Sequence, residues 1–329
     1  MNTKDEGLEA PSPQLAPEAA SAQDDRFLAL CTRIPGDELA AAECENLTGS
    51  IPEEDGVAFC QSLEYIARGA YVHTGLRLIA QAETFEDLLQ AVNGQSFPAE
   101  GFRIDHLRLA SRKLVNSQKA VLRLADNIPA YPDLKSPKHR FLLIERDSGL
   151  LFGEILAESA QSYRQHDRKP FRTSTSLPSR LSRALINLVS PPARTILDPC
   201  CGTGSILLEA QALGLQACGV DWNEHMVEMS RQNLAHFGYQ AQVIASDFRK
   251  VTSSADAIVT DLPYGMFMRE AKEDLQEIIQ HAHAMAPQAV FILGEDISAW
   301  LRDAGYSRIK VFRIPKRKDF SRFVHWGQR

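Results

Sequence analysis

The chain has 329 residues, of which 44% are hydrophobic and 24% are charged, and its formal net charge at pH 7 is −6. This composition is that of a globular protein, and no apolar run approaches the roughly 20 residues that span a bilayer, which argues against a membrane protein. The N-terminus has neither the apolar core of a secretory signal nor the Arg-rich character of a transit peptide, so we predict a cytoplasmic location. Six cysteines without CxxC spacing or a nearby histidine pair predict packed, reduced thiols and no metal site.

The charge is unevenly distributed along the chain. Met1–Asp25 contains six acidic residues and one basic residue, so the rest of the chain carries only −1. Basic residues outnumber acidic ones by six to one from Gln161 to Arg183 and by nine to two from Arg302 to Arg329. Local basic segments can neutralise phosphates whatever the net charge, so a nucleic-acid partner stays open. On charge alone, two solvated surface faces are the better interpretation.

The first half of the chain predicts a tail followed by a mixed α and β region. Met1–Asp25 is rich in Ala, Pro, Glu and Gln and has little to bury, which predicts a disordered tail. Periodicity and turn residues over 26–165 predict an α+β region. Its predicted elements are strands at Phe27–Ile34 and Phe102–Leu109, helices at Gly36–Asn46, Phe85–Val92 and Ser117–Ala125, and a hairpin formed by Arg140–Arg146 and Leu150–Leu156.

From Leu177 onward, short apolar strands alternate with helices, the pattern of a parallel sheet covered on both faces. Two strand-like segments close the chain on either side of a basic turn, which predicts an antiparallel pair at the end of the sheet. The predicted strands are Thr195–Leu197, Ala217–Val220, Ala241–Ile244, Ala257–Val259, Ala289–Leu293, Ser307–Ile314 and Phe320–Trp326, with helices at about 205–213, 224–237 and 271–285.

The first of these strands runs into a glycine turn in the sequence ILDPCCGTGSILLEA. Gly202 and Gly204 allow the backbone to turn tightly and approach a ligand before the helix begins. The spacing is not the G-x-G-x-x-G of dinucleotide enzymes, because position 207 is Leu207. Asp198 before the turn suits a cationic ligand such as S-adenosylmethionine, which carries an ammonium and a sulfonium group.

Acidic residues also end the next two strands. Asp221 is placed to accept hydrogen bonds from ribose hydroxyls, and Asp247 from an adenine amino group, with Phe248 against the ring. A single Asp at a strand end is more often a turn former or a helix cap, but three at successive strands predict a nucleoside cofactor. The predicted cofactor-binding residues are Asp198, Cys200, Gly202, Thr203, Gly204, Asp221, Trp222, Asp247 and Phe248.

The fourth strand ends in TDLPYG, from Thr260 to Gly265. An exocyclic amine is a poor nucleophile, because its lone pair is delocalised into the base. If the Asp261 carboxylate and the Leu262 carbonyl accept its two N–H bonds, the lone pair becomes available for attack on a methyl group. Pro263 fixes the backbone and Tyr264 offers a face on which an extruded base stacks. We predict these four residues as the catalytic set, acting by positioning and electrostatics without a metal.

Asp-Pro-x-Cys-Gly-Thr-Gly followed by Thr-Asp-x-Pro-Tyr-Gly resembles the motifs of the THUMP-associated tRNA guanosine-N2 methyltransferases. Arg168–Leu188, with the sequence RKPFRTSTSLPSRLSRALINL, is similar to the segment that precedes the cofactor motif in that family. The resemblance covers about 168–329 well and is weaker over 26–165. This chain departs from the family's usual residues at Leu262 (usually Pro), Cys200 (usually Phe) and Ser205 (usually Gly).

The resemblance implies a Rossmann-like class I methyltransferase domain over 166–329 that uses S-adenosylmethionine. It implies a ferredoxin-like and THUMP-like RNA-binding region over 26–165, and methylation of the N2 amine of a guanosine in tRNA, at position 10. We assume a monomer. The residues predicted to bind RNA are Arg168, Lys169, Arg172, Lys316, Arg317 and Lys318.

Other functions share parts of this pattern. Amino-methyltransferases that act on adenine or cytosine in DNA share the acid-x-Pro-aromatic tetrapeptide, and the Arg168–Leu188 segment and the THUMP-like portion favour RNA over DNA. An amino-methyltransferase of rRNA is a further alternative. A cytosine-C5 methyltransferase would need a cysteine where Tyr264 stands. An inactive RNA-binding module with the same fold is the remaining alternative. What argues against it is the joint presence of Asp198, Asp221, Asp247, Asp261 and Tyr264.

Overall fold

A computed structural model describes residues 26–32, 38–263, 272–317 and 320–329. The predicted tail Met1–Asp25 lies outside these residues. The described chain forms a six-stranded and a seven-stranded sheet, each covered by helices. No helix among the described residues has the length and apolarity that crossing a membrane requires.

The first sheet has the strand order β2-β1-β3-β6-β5-β4, and all neighbours are antiparallel except β4 and β5. Its predicted hairpin is confirmed as β5 and β6, paired from Phe141 with Glu154 to Arg146 with Gly149. That this region is THUMP-like stays a prediction. Its elements are β1 Phe27–Cys31, α1 Glu38–Thr48, β2 Val57–Cys60, β3 Val72–Ala82, α2 Phe85–Asn93, β4 Phe102–Arg108, α3 Ser117–Asp126, β5 His139–Arg146 and β6 Gly149–Glu158.

The second sheet has the order β12-β13-β11-β10-β7-β8-β9. Strands β9, β8, β7, β10 and β11 are parallel, and β13 is antiparallel to both of its neighbours. The predicted doubly wound sheet with an antiparallel terminal pair is therefore confirmed. Its elements are α4 Ser179–Asn187, β7 Thr195–Asp198, α5 Ser205–Ala212, β8 Gln216–Asp221, α6 Glu224–His236, β9 Gln242–Ala245, β10 Ala257–Asp261, α7 Lys272–Met285, β11 Gln288–Leu293, α8 Ser298–Ala304, β12 Arg308–Arg317 and β13 Phe320–Gln328.

Strand β10 shows why the central strands read as continuous apolar runs. Ala257 and Val259 pack in the core beneath α4 and α5, whereas Ile258 packs on the opposite face with residues of α7. Successive side chains of a strand point to opposite faces, so burial on both faces requires an apolar residue at every position. The polar residues are thereby confined to the strand ends.

Helix α4 is held against the first sheet by hydrogen bonds to a buried carboxylate. Glu43 of α1 is fully buried and accepts hydrogen bonds from the backbone N–H groups of Ala70 (2.9 Å) and Tyr71 (2.6 Å). It also accepts one from the side-chain amide of Asn187, at the end of α4, at 2.6 Å. Arg180 of α4 donates to the carbonyl of Ala70 at 3.0 Å. These bonds fix α4 against the start of β3.

Replacing Glu43 should therefore weaken the whole chain. Glu43→Ala leaves several buried donors without an acceptor, and we expect the free energy of unfolding in urea to fall by about 3 kcal/mol. Glu45→Ala, two residues away, is the matched control, because its partly exposed side chain forms a surface ion pair with Lys310 at 2.9 Å. That variant should lose about 0.5 kcal/mol. Equal losses in the two variants would show that Glu43 does not join the sheets.

Candidate active site

A cavity of about 600 Å³ lies at the carboxyl ends of β7, β8, β9 and β10. The chain winds from β7 through β8 to β9 on one side and continues through β10 and β11 on the other, so the cavity occupies the point where the winding reverses. Eleven of the predicted site residues line it, namely Asp198, Cys200, Gly202, Thr203, Asp221, Trp222, Asp247, Phe248, Asp261, Leu262 and Pro263. Tyr264 lies outside the described residues.

The loop between β7 and α5 depends on two glycines. Gly202 has φ +49° and Gly204, the N-cap of α5, has φ +79°, a left-handed conformation that other residues rarely adopt. A Cβ on Gly204 would lie 2.4 Å from the Ser230 hydroxyl oxygen of α6. From the same helix, Asn233 donates to the carbonyls of Thr203 and Phe171, both at 2.9 Å. The loop is thus held between α6 and the segment that precedes α4.

Asp198 is the most deeply buried acid of the cavity, with 1% of its surface exposed. Its carboxylate accepts the hydroxyl of Thr260 at 2.7 Å and the N–H of Cys200 at 3.2 Å. Burial raises the pKa of Asp198 to about 8, and the nearby carboxylates of Asp221 and Asp261 add to that rise. A cation bound beside Asp198 would favour its ionised form, as the predicted role requires.

Asp221 ends β8 and Trp222 follows it, both at the rim of the cavity. The Asp221 carboxylate accepts the N–H groups of Gly202 at 2.9 Å and Asn223 at 3.0 Å. Burial raises the pKa of this carboxyl group. Trp222 is 70% exposed and presents an aromatic surface at the entrance. The carboxylate is therefore fixed in place by the glycine loop, which suits the predicted ribose contact.

Asp247 and Phe248 are tied to α7 through Arg249, a residue that the sequence interpretation missed. Arg249 pairs with Asp247 at 2.8 Å and with Asp274 and Glu277 of α7 at 2.9 and 2.7 Å. The guanidinium lowers the pKa of Asp247. Phe248 is 3% exposed, so most of its ring packs in the core rather than facing the cavity. The adenine contacts predicted for Asp247 and Phe248 stay predictions.

Asp261 and Leu262 end β10 at the same cavity. The Leu262 N–H donates to the carbonyl of Ile292 at 3.1 Å, so the pairing with β11 continues one residue beyond Asp261. The Leu262 side chain is 1% exposed and belongs to the core under α7. Thr260 in this strand is the donor to Asp198, which brings the predicted catalytic end of β10 to the predicted cofactor loop.

The predicted RNA-binding residues are not all on the surface. Arg168 and Arg172 are exposed, but Lys169 is 6% exposed and its ammonium donates to the Ser205 hydroxyl. Burial lowers the pKa of Lys169 to about 8. Lys316 and Arg317 are described only as part of β12, and Lys318 lies outside the described residues.

The sequence interpretation did not include the polar stretch before α4. Thr173, Thr175, Ser176 and Leu177 line the cavity, and the Ser176 hydroxyl lies 3.1 Å from that of Thr203. The run TSTS within Arg168–Leu188 was available as a signal, but only the basic residues of that segment were interpreted as functional.

Comparison with known proteins identifies the family. Residues 166–296 match the UPF0020 family model, described as an RMKL-like methyltransferase domain. The tRNA (guanine(10)-N2)-dimethyltransferase of Methanothermobacter thermautotrophicus is 32% identical over 240 residues, which cover 66% of this chain and 69% of that protein. The chain belongs to the tRNA guanine-N2 methyltransferase family.

Two further proteins are similar to this chain, one in sequence and one in fold. The enzyme of the same name from Pyrococcus abyssi is 41% identical over 108 residues, covering 31% of this chain and 32% of that one. The crystal structure of TrmN from Thermus thermophilus superposes with a TM-score of 0.50 at 21% identity, covering 92% of this chain and all of that one. The latter shows the fold, a class I methyltransferase.

The family uses S-adenosylmethionine, and the residues of the cavity fit this cofactor. Asp198 is a buried acid suited to its cationic methionine end, Asp221 is an acceptor suited to its ribose, and Trp222 is an exposed aromatic surface. Among the described residues, no group of three or more His, Cys, Asp or Glu side chains is arranged to hold a metal ion.

The raised pKa of Asp198 predicts a pH dependence of cofactor binding. Below about pH 8 the free protein holds Asp198 protonated, and a bound cation favours the carboxylate, so binding releases a proton. We expect the affinity for S-adenosylmethionine to rise about tenfold between about pH 6 and 7.5, where the cofactor's ammonium stays protonated. Calorimetry in buffers of different ionisation enthalpy measures both the affinity and the number of protons released on binding. The variant Asp198→Asn keeps an acceptor for Thr260 and should bind S-adenosylmethionine with the same affinity at both pH values. A wild-type affinity that does not change with pH would contradict the role of Asp198.

Proposed function

We propose that the chain transfers a methyl group from S-adenosylmethionine to the exocyclic N2 amine of a guanosine in tRNA, at position 10. This proposal depends on one observation: Asp198, Asp221 and Asp261 line the same cavity. The two relatives described above are both named tRNA (guanine(10)-N2)-dimethyltransferase, and that name supplies the base and the position.

The residues of the chain act on the amine rather than on the methyl group. When bound, S-adenosylmethionine supplies an electrophilic methyl group. The Asp261 carboxylate accepts one N–H of the amine and the Leu262 carbonyl accepts the other, which localises the nitrogen lone pair. Positive charge develops on the nitrogen as the bond between the methyl group and the donor sulfur breaks, and it is lost when the nitrogen releases a proton to solvent. The carboxylate stabilises that charge, so Asp261 acts more strongly on the transition state than on the bound ground state.

The substrate is held by surfaces outside the cavity. We propose that residues 26–165 form the RNA-binding region, that 166–329 form the methyltransferase domain, and that the exposed Arg168 and Arg172 contact RNA phosphates. Because α1, the segment that leads into β3, and α4 are joined by buried hydrogen bonds, RNA bound on the first sheet would be oriented relative to the cavity. Such a protein would work in the cytoplasm, where tRNA is matured.

The identity of the accepting amine can be tested with unmodified tRNA transcripts and labelled S-adenosylmethionine. We expect label in N2-methylguanosine after nucleoside analysis, and none when inosine, which lacks the N2 amine, replaces the target guanosine. Double-stranded DNA and rRNA fragments under the same conditions should remain unlabelled. Label in adenine or cytosine would replace the proposed substrate with one of the competing amino-methylation reactions.

The role of Asp261 predicts a loss of turnover without a loss of binding. Asp261→Asn removes the negative charge and presents an amide donor, so kcat should fall about 100-fold or more, while affinities for cofactor and tRNA change less than about twofold. Asp256→Asn at the opposite end of β10 is the matched control, because Asp256 accepts the N–H groups of Arg194 and Thr195 away from the cavity. Single-turnover kinetics should show near-normal methyl transfer for that variant. A similar rate in Asp261→Asn would remove the proposed mechanism.

A further inference from the structure

A second cavity of about 370 Å³ lies beside the active-site cavity. The two cavities share wall residues of the loop before α4 and of the start of α5, including Ser176 and Ser205. We call the second one the lysine cavity; its wall also includes Lys169, Arg172 and Ser179. No step of the mechanism above uses it.

Lys169 is a buried cation in this wall. Its side chain reaches the Ser205 hydroxyl, and in the part of the chain that the structure describes its ammonium forms no ion pair. Burial lowers the pKa of Lys169, and the carboxylates of Glu209 and Asp167 compensate that cost only in part. An anion in the lysine cavity would compensate the charge and restore the ordinary protonation of the lysine.

Ser179 is a second donor without a partner. It is the first residue of α4 and is 4% exposed, and its hydroxyl oxygen is buried with no hydrogen-bond partner among the described residues. Its backbone N–H is already used, since it donates to Asp167 at 3.0 Å. Buried hydroxyls are almost always hydrogen-bonded, so this one indicates an absent acceptor.

The charges around the lysine cavity favour an anion. Lys169 and Arg172 face a single carboxylate in the wall, that of Asp167, which is occupied by the Ser179 N–H. Glu209, deeper in the core, is paired with His166 at 2.6 Å and Arg183 at 2.7 Å. The wall therefore carries net positive charge together with neutral hydroxyl donors, the donor set that binds phosphate oxygens.

We propose that the lysine cavity binds one backbone phosphate of the RNA substrate, with Lys169 and Ser179 donating to its two free oxygens. This inference rests on the proposed function. A phosphate is favoured over the cofactor's carboxylate because the exposed Arg172 lines this cavity, where a continuing phosphate chain would lie. Because the two cavities share a wall, a phosphate held here would fix the nucleotide whose base enters the active site.

Ser179→Ala gives the sharpest test, because the hydroxyl has no hydrogen-bond partner to lose among the residues that the structure describes. We expect an unchanged urea midpoint, and about three- to tenfold weaker binding of an unmodified tRNA transcript by fluorescence anisotropy with S-adenosylhomocysteine present. Ser182→Ala is the matched control on the same helix: its buried hydroxyl donates to the Pro178 carbonyl at 3.3 Å and lines neither cavity. That variant should bind the transcript as the wild type does.

Lys169→Met, which keeps the length of the buried side chain, should weaken tRNA binding at least tenfold and reduce the slope of log affinity against log salt by about one phosphate contact. Affinity for S-adenosylhomocysteine, measured by calorimetry, should stay within about twofold of wild type in both variants. If instead that affinity falls and tRNA binding does not, the cavity holds the cofactor's carboxylate and the proposal is overturned. If both variants bind tRNA as tightly as the wild type does, the phosphate proposal is overturned and the proposed function is not. If the wild-type protein itself binds no tRNA, both the phosphate proposal and the proposed function are overturned.

Discussion

The hydrogen bond from the Thr260 hydroxyl to the Asp198 carboxylate joins β10 to β7 where the winding of the second sheet reverses. The crossover connections leave these two strand ends in opposite directions, which opens a crevice between them. Because of this bond, the positions of the glycine loop after Asp198 and of Asp261 at the end of β10 are fixed by neighbouring strands of one sheet rather than by separate loops. A site that places an amine against a methyl donor needs this rigidity, because small displacements of the reacting atoms are costly.

A second constraint connects this crevice to the first sheet. The stretch from Thr173 to Leu177 forms part of the cavity wall and leads directly into α4, which Glu43 holds through Asn187. The other end of the same stretch is held by α6, because Asn233 bonds to both backbone groups of Phe171. The wall is therefore fixed between the two sheets, and any shift of the first sheet would be transmitted to the cavity through α4 rather than through a flexible linker.

Secondary structure is predicted best from the sequence where strands are buried on both faces, because few residue types fit such positions. Strands such as β10, buried on both faces, appear as apolar runs, and the acids that follow them appear as exceptions at their ends. Strand β3 is missed because two register shifts, near Gly75 and Leu78, interrupt the alternation that would reveal it. Lys169 was grouped with an exposed basic face, because local charge does not show that its stem runs into the core beside Ser205. Arg249 was missed because its partners on α7 are distant in sequence.

Leu262 shows how one departure from a family pattern is absorbed by the structure. A proline at this position could not donate a hydrogen bond, whereas the Leu262 N–H extends the pairing of β10 with β11 by bonding to the Ile292 carbonyl. The leucine side chain is also buried in the core under α7. Family members with proline restrict the backbone through the ring, and this chain restricts it through one ladder bond and one buried side chain. Both solutions limit the motion of the peptide that carries the proposed acceptor carbonyl, so the proposed chemistry would depend on the backbone at this position and would leave the side chain free to vary.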